Sequence, residues 1–297
     1  MDAIIGHESH KKVFERLIEN GSLSHAYLFV GPESIGKTTF IRALTSQLLG
    51  VPDEKLAMNA DVSWVTCPVD EKTGIQKATL SVEIIRDLRE ALSMGAFLGG
   101  YRVAVIEDAS AMTPSAGNAL LKMLEEPPKR TVLFLRAKRV EDVPRTIVSR
   151  TQIIRLELVS SEDIVKALIL RGASRKEADE LANIALGRPG IALSFLTDRQ
   201  AYADWRTQAD VFEQHLDTGI AERLTLARNL LSKDDQKDHA RGERIFTAWE
   251  FVLRKKLRAE PEGLRWVQGL DRLARSRTAF SRHTSLQLAF EHTLLHL

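Results

Sequence analysis

HAYLFVGPESIGKTT, residues 25–39, decides the fold. An unbroken apolar run, Ala26 to Val30, reads as a short buried strand. It runs straight into Gly31, and residues 31–38 follow the pattern of glycine, four residues, glycine, lysine and a hydroxyl residue. Each part has a physical use. Gly31 and Gly36 let the backbone turn its N–H groups inward, and Pro32, Glu33, Ser34 and Ile35 carry the loop between them. The helix expected from Lys37 to Leu49 aims its positive end at the same point. Lys37 supplies a point charge for β and γ phosphates, and Thr38, followed by Thr39, supplies a hydroxyl for Mg²⁺. A strand before and a helix after make this a nucleotide-phosphate loop rather than an ordinary glycine turn.

Outward from the loop, strand and helix signals alternate. Residues 9–20 place Val13, Phe14, Leu17 and Ile18 on one face of a helix that Gly21 stops. DVSWVT, residues 61–66, reads as a second strand. Ser81 caps a helix carrying Ile85, Leu88 and Leu92. Gly99-Gly100 breaks the chain before the strand VAVIED, residues 103–108. Thr113-Pro114 starts a helix with a hydroxyl cap and proline at its first position. Pro127-Pro128 stops it, and TVLFL (131–135) and TQIIRLEL (from Thr151) give two more strands. The alternation predicts an α/β domain over residues 1–156, built on a parallel sheet covered on both faces. Beyond Leu158 only helical signals remain. Capping boxes at Ser160/Asp163 and Ser174/Glu177 mark a small helical domain at 157–200. Four or five amphipathic helices fill 201–297, with KDDQKD (233–238) as a solvated loop and AEPEG (259–263) as a break.

The 297 residues carry a net charge of +2, which argues against an autonomous grip on nucleic acid. Any contact of RKKLR (254–258) with DNA competes with its reading as a solvated helix face. One cysteine, Cys67, excludes an internal disulfide and a multi-cysteine zinc site, so no zinc is expected and a reducing, cytoplasmic setting fits. The N-terminus lacks a signal-peptide pattern, and no apolar run approaches the roughly 20 residues that span a bilayer. The strand 103–108 ends in Glu107 and Asp108. Beside a phosphate loop, the first acid stands where a metal-side carboxylate sits and the second where a water-activating acid sits.

Three segments, HAYLFVGPESIGKTT, VAVIEDASAMTPSAGNALLKMLEEPP and RTIVSR, resemble the bacterial clamp-loader ATPases of the AAA+ class, the delta-prime and gamma/tau subunits of DNA polymerase III. The resemblance covers residues 1 to about 195 and is most distinctive in NALLKMLEEPP. It implies a P-loop AAA+ domain, a helical lid and an all-helical collar that assembles subunits into a ring. It also implies ATP and Mg²⁺ as cofactors and gamma/tau-like and delta-like subunits as partners. The sliding clamp and primer-template DNA follow through the assembled complex. By the same resemblance, Arg150 in Ser149-Arg150-Thr151 is the candidate arginine finger for a neighbour's site, and the backbone around Ile4 and Ile5 lines the adenine pocket.

The departures from the family pattern point one way. The acid pair runs Glu-Asp where active members have Asp-Glu. Arg136-Ala137-Lys138 stands where a small polar residue senses the γ-phosphate. Gly190 stands where hydrolysing subunits carry arginine, with Arg188 nearby. These features predict a delta-prime-like subunit whose own hydrolysis is weak or absent. The alternatives are an active gamma-like ATPase and an unrelated P-loop ATPase.

Overall fold

The structure, a computed structural model, describes residues 1, 3–69, 77–97, 100–230, 239–281 and 285–295. Gly99 and the KDDQKD segment lie outside the described residues. The chain divides into two compact units, Met1–Leu193 and Ser194–Leu297. The division falls inside a helix, a few residues before the boundary expected at 200.

The first unit holds five parallel strands: β1 (Ala26–Val30), β2 (Val62–Val65), β3 (Arg102–Ile106), β4 (Thr131–Ala137) and β5 (Gln152–Arg155). Their order across the sheet is β2-β3-β4-β1-β5. Helix α1 (Glu8–Glu19) precedes β1, helices α2 (Lys37–Leu49), α3 (Val82–Ser93) and α4 (Pro114–Glu125) provide the crossovers that follow, and a short helix α5 (Arg145–Val148) precedes β5. Every residue of β1 and β3 is buried. That explains why these strands read as continuous apolar runs rather than alternating ones.

Alternation along β1 still decides which layer each side chain enters. Tyr27 and Phe29 join an aromatic cluster with Phe14, Phe40 and Phe134, ring centroids 5.1–5.9 Å apart. Ala26, Leu28 and Val30 face the other way, into the layer formed with Ile85, Leu88, Leu92, Leu120 and Leu124. The α4 start follows the sequence signal: the Thr113 side chain accepts from the Ala116 N–H at 3.2 Å, with Pro114 at the first helical position.

Helices α6 (Ser161–Leu170) and α7 (Arg175–Ala185) complete the unit with the start of α8 (Pro189–Thr197). Both predicted caps form, Ser160 accepting from Asp163 N–H and Ser174 from Glu177 N–H.

The second unit packs α9 (Arg199–His215), α10 (Ile220–Asn229), α11 (His239–Ala259), α12 (Leu264–Ser281) and α13 (Leu286–Leu294). Its core is aromatic: Trp249 stacks on Phe212 at 4.5 Å and meets Phe290 at 4.9 Å. Trp205 and Trp266 are buried as well. Of the RKKLR run, Arg254 pairs with Glu250, and Lys255 and Lys256 pair with Glu213. No helix of the described residues is long and apolar enough to cross a membrane.

Candidate functional site

The carboxyl ends of β1, β3 and β4 converge on one edge of the sheet, where ligands of open α/β folds bind. The predicted loop leaves β1 there and enters α2 at Lys37. Gly31 is required by close approach: a Cβ at that position would lie 2.4 Å from the Leu156 carbonyl oxygen. Gly31 N–H donates to the Lys138 carbonyl at 3.3 Å, tying the loop to the end of β4. Ile35 is buried beneath the loop, while Pro32, Ser34 and Thr39 are exposed and Glu33, Gly36 and Thr38 are half-buried.

Lys37 is 3% exposed, and its ammonium donates to the carbonyls of Gly31 and Pro32, both at 2.7 Å. Burial lowers its pKa to about 8, opposed by Glu33 and reinforced by Arg136 and Lys138. Burial works against charge on Glu33 too, but Lys37, Lys138 and Arg136 outweigh it and hold that carboxyl below the usual range. Glu33 pairs with Lys138 at 3.5 Å.

The N-terminal segment approaches the loop from the other side. Ile4 and Ile5 are buried, and the His7 imidazole lies 3.4 Å from the Ile35 carbonyl. Lys11 holds this segment by donating to the Ile4 carbonyl at 2.7 Å. Burial lowers the His7 pKa, and the contact with Ile35 partly offsets this. From the helical end of the unit, Gly190 N–H donates to the Ser34 carbonyl at 2.8 Å. A Cβ on Gly190 would stand 2.9 Å from that oxygen, so the start of α8 rests on the loop with no space for a side chain. Arg188 is buried next to this contact, its Nε 3.4 Å from the Ala185 carbonyl.

The acid pair lies just beyond β3. Glu107 accepts from the Trp64 indole N–H at 2.6 Å. Asp108 turns to its own chain: one carboxylate oxygen accepts from Ser110 N–H at 3.0 Å and from the Ser110 hydroxyl at 2.5 Å.

Arg136 completes the group. It donates from Nη1 to Thr38 Oγ1 at 2.5 Å and from Nε to the Glu107 carbonyl at 2.5 Å. Nη2 lies 4.0 Å from the Glu107 carboxylate. The sequence expectation gives Thr38 and Glu107 to Mg²⁺; the structure joins both to Arg136. A magnesium ion ligated by Thr38 would sit about 2.1 Å from its oxygen, hence within about 5 Å of the guanidinium. The Glu107 carboxylate would offset much of the resulting repulsion, so the obstacle is one of place: the guanidinium fills the space between Thr38 Oγ1 and Glu107. With Arg136 in place, these residues do not fit the metal.

Sequence reasoning gave Arg136 no role. The signal lies in the pairing of β1 with β4, which sets Arg136 opposite Phe29. Two residues before it, Phe134 packs against Phe29 at 5.9 Å, so strand alternation sends Arg136 to the same face, where α2 begins. Since β4 lies between β1 and β3, Arg136 also stands between the loop and Glu107.

Arg150 follows α5, away from this group. It is exposed, pairs with Glu125 at 2.8 Å, and donates to the Thr146 carbonyl at 3.2 Å and the Ser149 hydroxyl at 3.3 Å. Cys67 is a half-buried thiol, and no cluster of metal-binding side chains occurs among the described residues.

Comparison with known proteins agrees with this architecture. The chain is 29% identical over 167 residues to the DNA polymerase III subunit tau of Bacillus subtilis (strain 168), covering 54% of the chain and 30% of that protein. It is 37% identical over 120 residues to the delta' subunit of Escherichia coli (strain K12), covering 40% of the chain and 36% of that subunit. The chain thus spans about a third of the length of these two relatives. A crystal structure of a gamma subunit-related protein from Thermotoga maritima shares the fold, with a TM-score of 0.52 at 17% identity over 95% of this chain and 97% of that one. The model of the DNA polymerase III, delta subunit, family matches residues 6–160, more than half of the sequence. The chain therefore belongs to that family.

Proposed function

We propose that this chain is a delta-prime-like subunit of a bacterial clamp loader, working in the cytoplasm within a hetero-oligomeric ring of gamma/tau-like and delta-like subunits. In that role it holds an adenine nucleotide at residues 31–39, with Ile4 and Ile5 beside the base, and donates Arg150 to the active site of a neighbour. The ring acts on the sliding clamp and on primer-template DNA.

The observation that carries this reading is the contrast between Arg150 and Asp108. Arg150 is exposed and held by a solvent-exposed pair, a kind of contact worth about 0–1 kcal/mol, so a neighbour's phosphates compete for it at little cost. A guanidinium in a dry interface then offsets the charge spreading over a transferred phosphoryl group. Asp108, the acid expected to activate water for the chain's own site, is engaged in capping its own turn. The blocked position at Gly190 supports the same reading, since an arginine there has no space. The chain is a donor to another site rather than a motor in its own right.

The purified full chain is expected to bind ADP and ATP yet to turn over ATP no faster than its Lys37→Ala variant. A robust steady-state rate that Lys37→Ala abolishes would favour the gamma-like alternative.

A further inference from the structure

We infer that Arg136 is a built-in cation that stands in for Mg²⁺, so that the phosphate loop of this chain binds the metal-free form of a nucleoside di- or triphosphate. The inference rests on the reading of residues 31–38 as a nucleotide site and specifies the ionic form of the ligand that the site takes.

Three observations carry it. First, the Arg136 guanidinium bonds to the hydroxyl of Thr38 and to the carbonyl of Glu107, the two residues that the loop motif and the acidic strand end would present to a metal. Second, Glu107 is already committed on both sides. One carboxylate oxygen accepts from the Trp64 indole N–H, and the other faces Arg136 Nη2 at 4.0 Å. Third, two further fixed cations stand at the loop: Lys37, held by the carbonyls of Gly31 and Pro32, and Lys138, which pairs with Glu33.

The chemistry of the guanidinium suits the exchange. Mg²⁺ bridges phosphate oxygens through short, octahedral contacts and carries its own waters. Arginine instead presents five N–H donors in a planar fork, matched to two oxygens of one phosphate. Two of those donors are spent on Thr38 and the Glu107 carbonyl, which fixes the plane of the fork at the start of α2 and leaves its remaining N–H groups for an anion. A metal–nucleotide complex would have to shed its ion to enter, whereas the free polyphosphate would meet Lys37 and Arg136 together.

The test is calorimetric titration of ADP into the full wild-type chain, in EDTA and in millimolar magnesium. Binding in EDTA is expected to be at least as tight as in magnesium. Arg136→Ser, checked for folding by its thermal transition, should weaken binding in EDTA by about tenfold or more, as loss of a charge-assisted contact implies, with magnesium restoring it. Arg136→Lys keeps the charge and should retain binding in EDTA. Wild-type binding that needs magnesium, weakening about tenfold or more in EDTA, would overturn the inference while leaving the nucleotide site intact. No binding in either buffer would overturn both. The two wild-type titrations decide the matter even if Arg136→Ser does not fold.

Discussion

In the proposed nucleotide site Lys37 would meet the phosphates, and in the free chain its ammonium is satisfied by the carbonyls of Gly31 and Pro32. Its pKa of about 8 follows from burial, with Glu33 and Asp108 opposing the shift and Arg136 and Lys138 adding to it. A bound anion favours the charged amine and raises that pKa, so binding takes up a proton wherever free Lys37 is neutral. Affinity is then flat below about pH 8 and falls above it, approaching about tenfold per pH unit until the pKa of the bound state is reached. Titration of ADP across pH 7 to 10 would check this, and Lys37→Ala should abolish both the affinity and its pH dependence. At this scale the loop was legible in the sequence because its chemistry is packed into eight consecutive residues. Arg136 was not, since its role depends on which strand lies next to β1. The Trp64 contact with Glu107 was hidden for the same reason: it depends on the pairing of β2 with β3.

Among the elements, helix starts were the most legible features. Thr113, Ser160 and Ser174 each accept the backbone N–H that a capping residue is expected to accept, whereas Ser81 stands at the N-cap of α3 without a side-chain cap bond. Thr113→Ala should cost about 1 kcal/mol of stability, seen as a lower urea midpoint with an unchanged slope. Contacts between elements were less legible. GRPGIAL reads as a turn that restarts a helix, and α8 does begin at Pro189, but nothing local reports that Gly190 rests on Ser34. Gly190→Arg would drive a side chain into the Ser34 backbone. It is expected to cost about 1–3 kcal/mol and to weaken nucleotide binding, whereas a surface glycine would tolerate the change. In the second unit Trp249 has no exposed surface and touches Phe212 and Phe290. Trp249→Ala should destabilise that unit by about 3–5 kcal/mol, measurable by denaturant unfolding followed through the helical circular dichroism signal. The RKKLR run shows why a cationic stretch alone says little: three of its basic side chains are paired with Glu213 and Glu250.

For the whole molecule, the proposed role joins a net charge of +2, too small for an autonomous grip on nucleic acid, to an exposed arginine after α5 that would act at a neighbour's site. The first unit was legible as α/β because strand and helix signals alternate, and the second as helical because only amphipathic patterns remain. The strand order was not, since an alternating pattern is compatible with more than one parallel order. The measurement that bears most directly on the proposed role is ATP turnover by a loader reconstituted from this chain with its own gamma/tau-like and delta-like subunits, clamp and primed DNA. Arg150→Ala is predicted to slow hydrolysis at the neighbouring site by on the order of 10³-fold, removing that site's share of turnover, while Lys37→Ala leaves turnover close to wild type. Turnover that survives Arg150→Ala but is lost with Lys37→Ala would contradict the account.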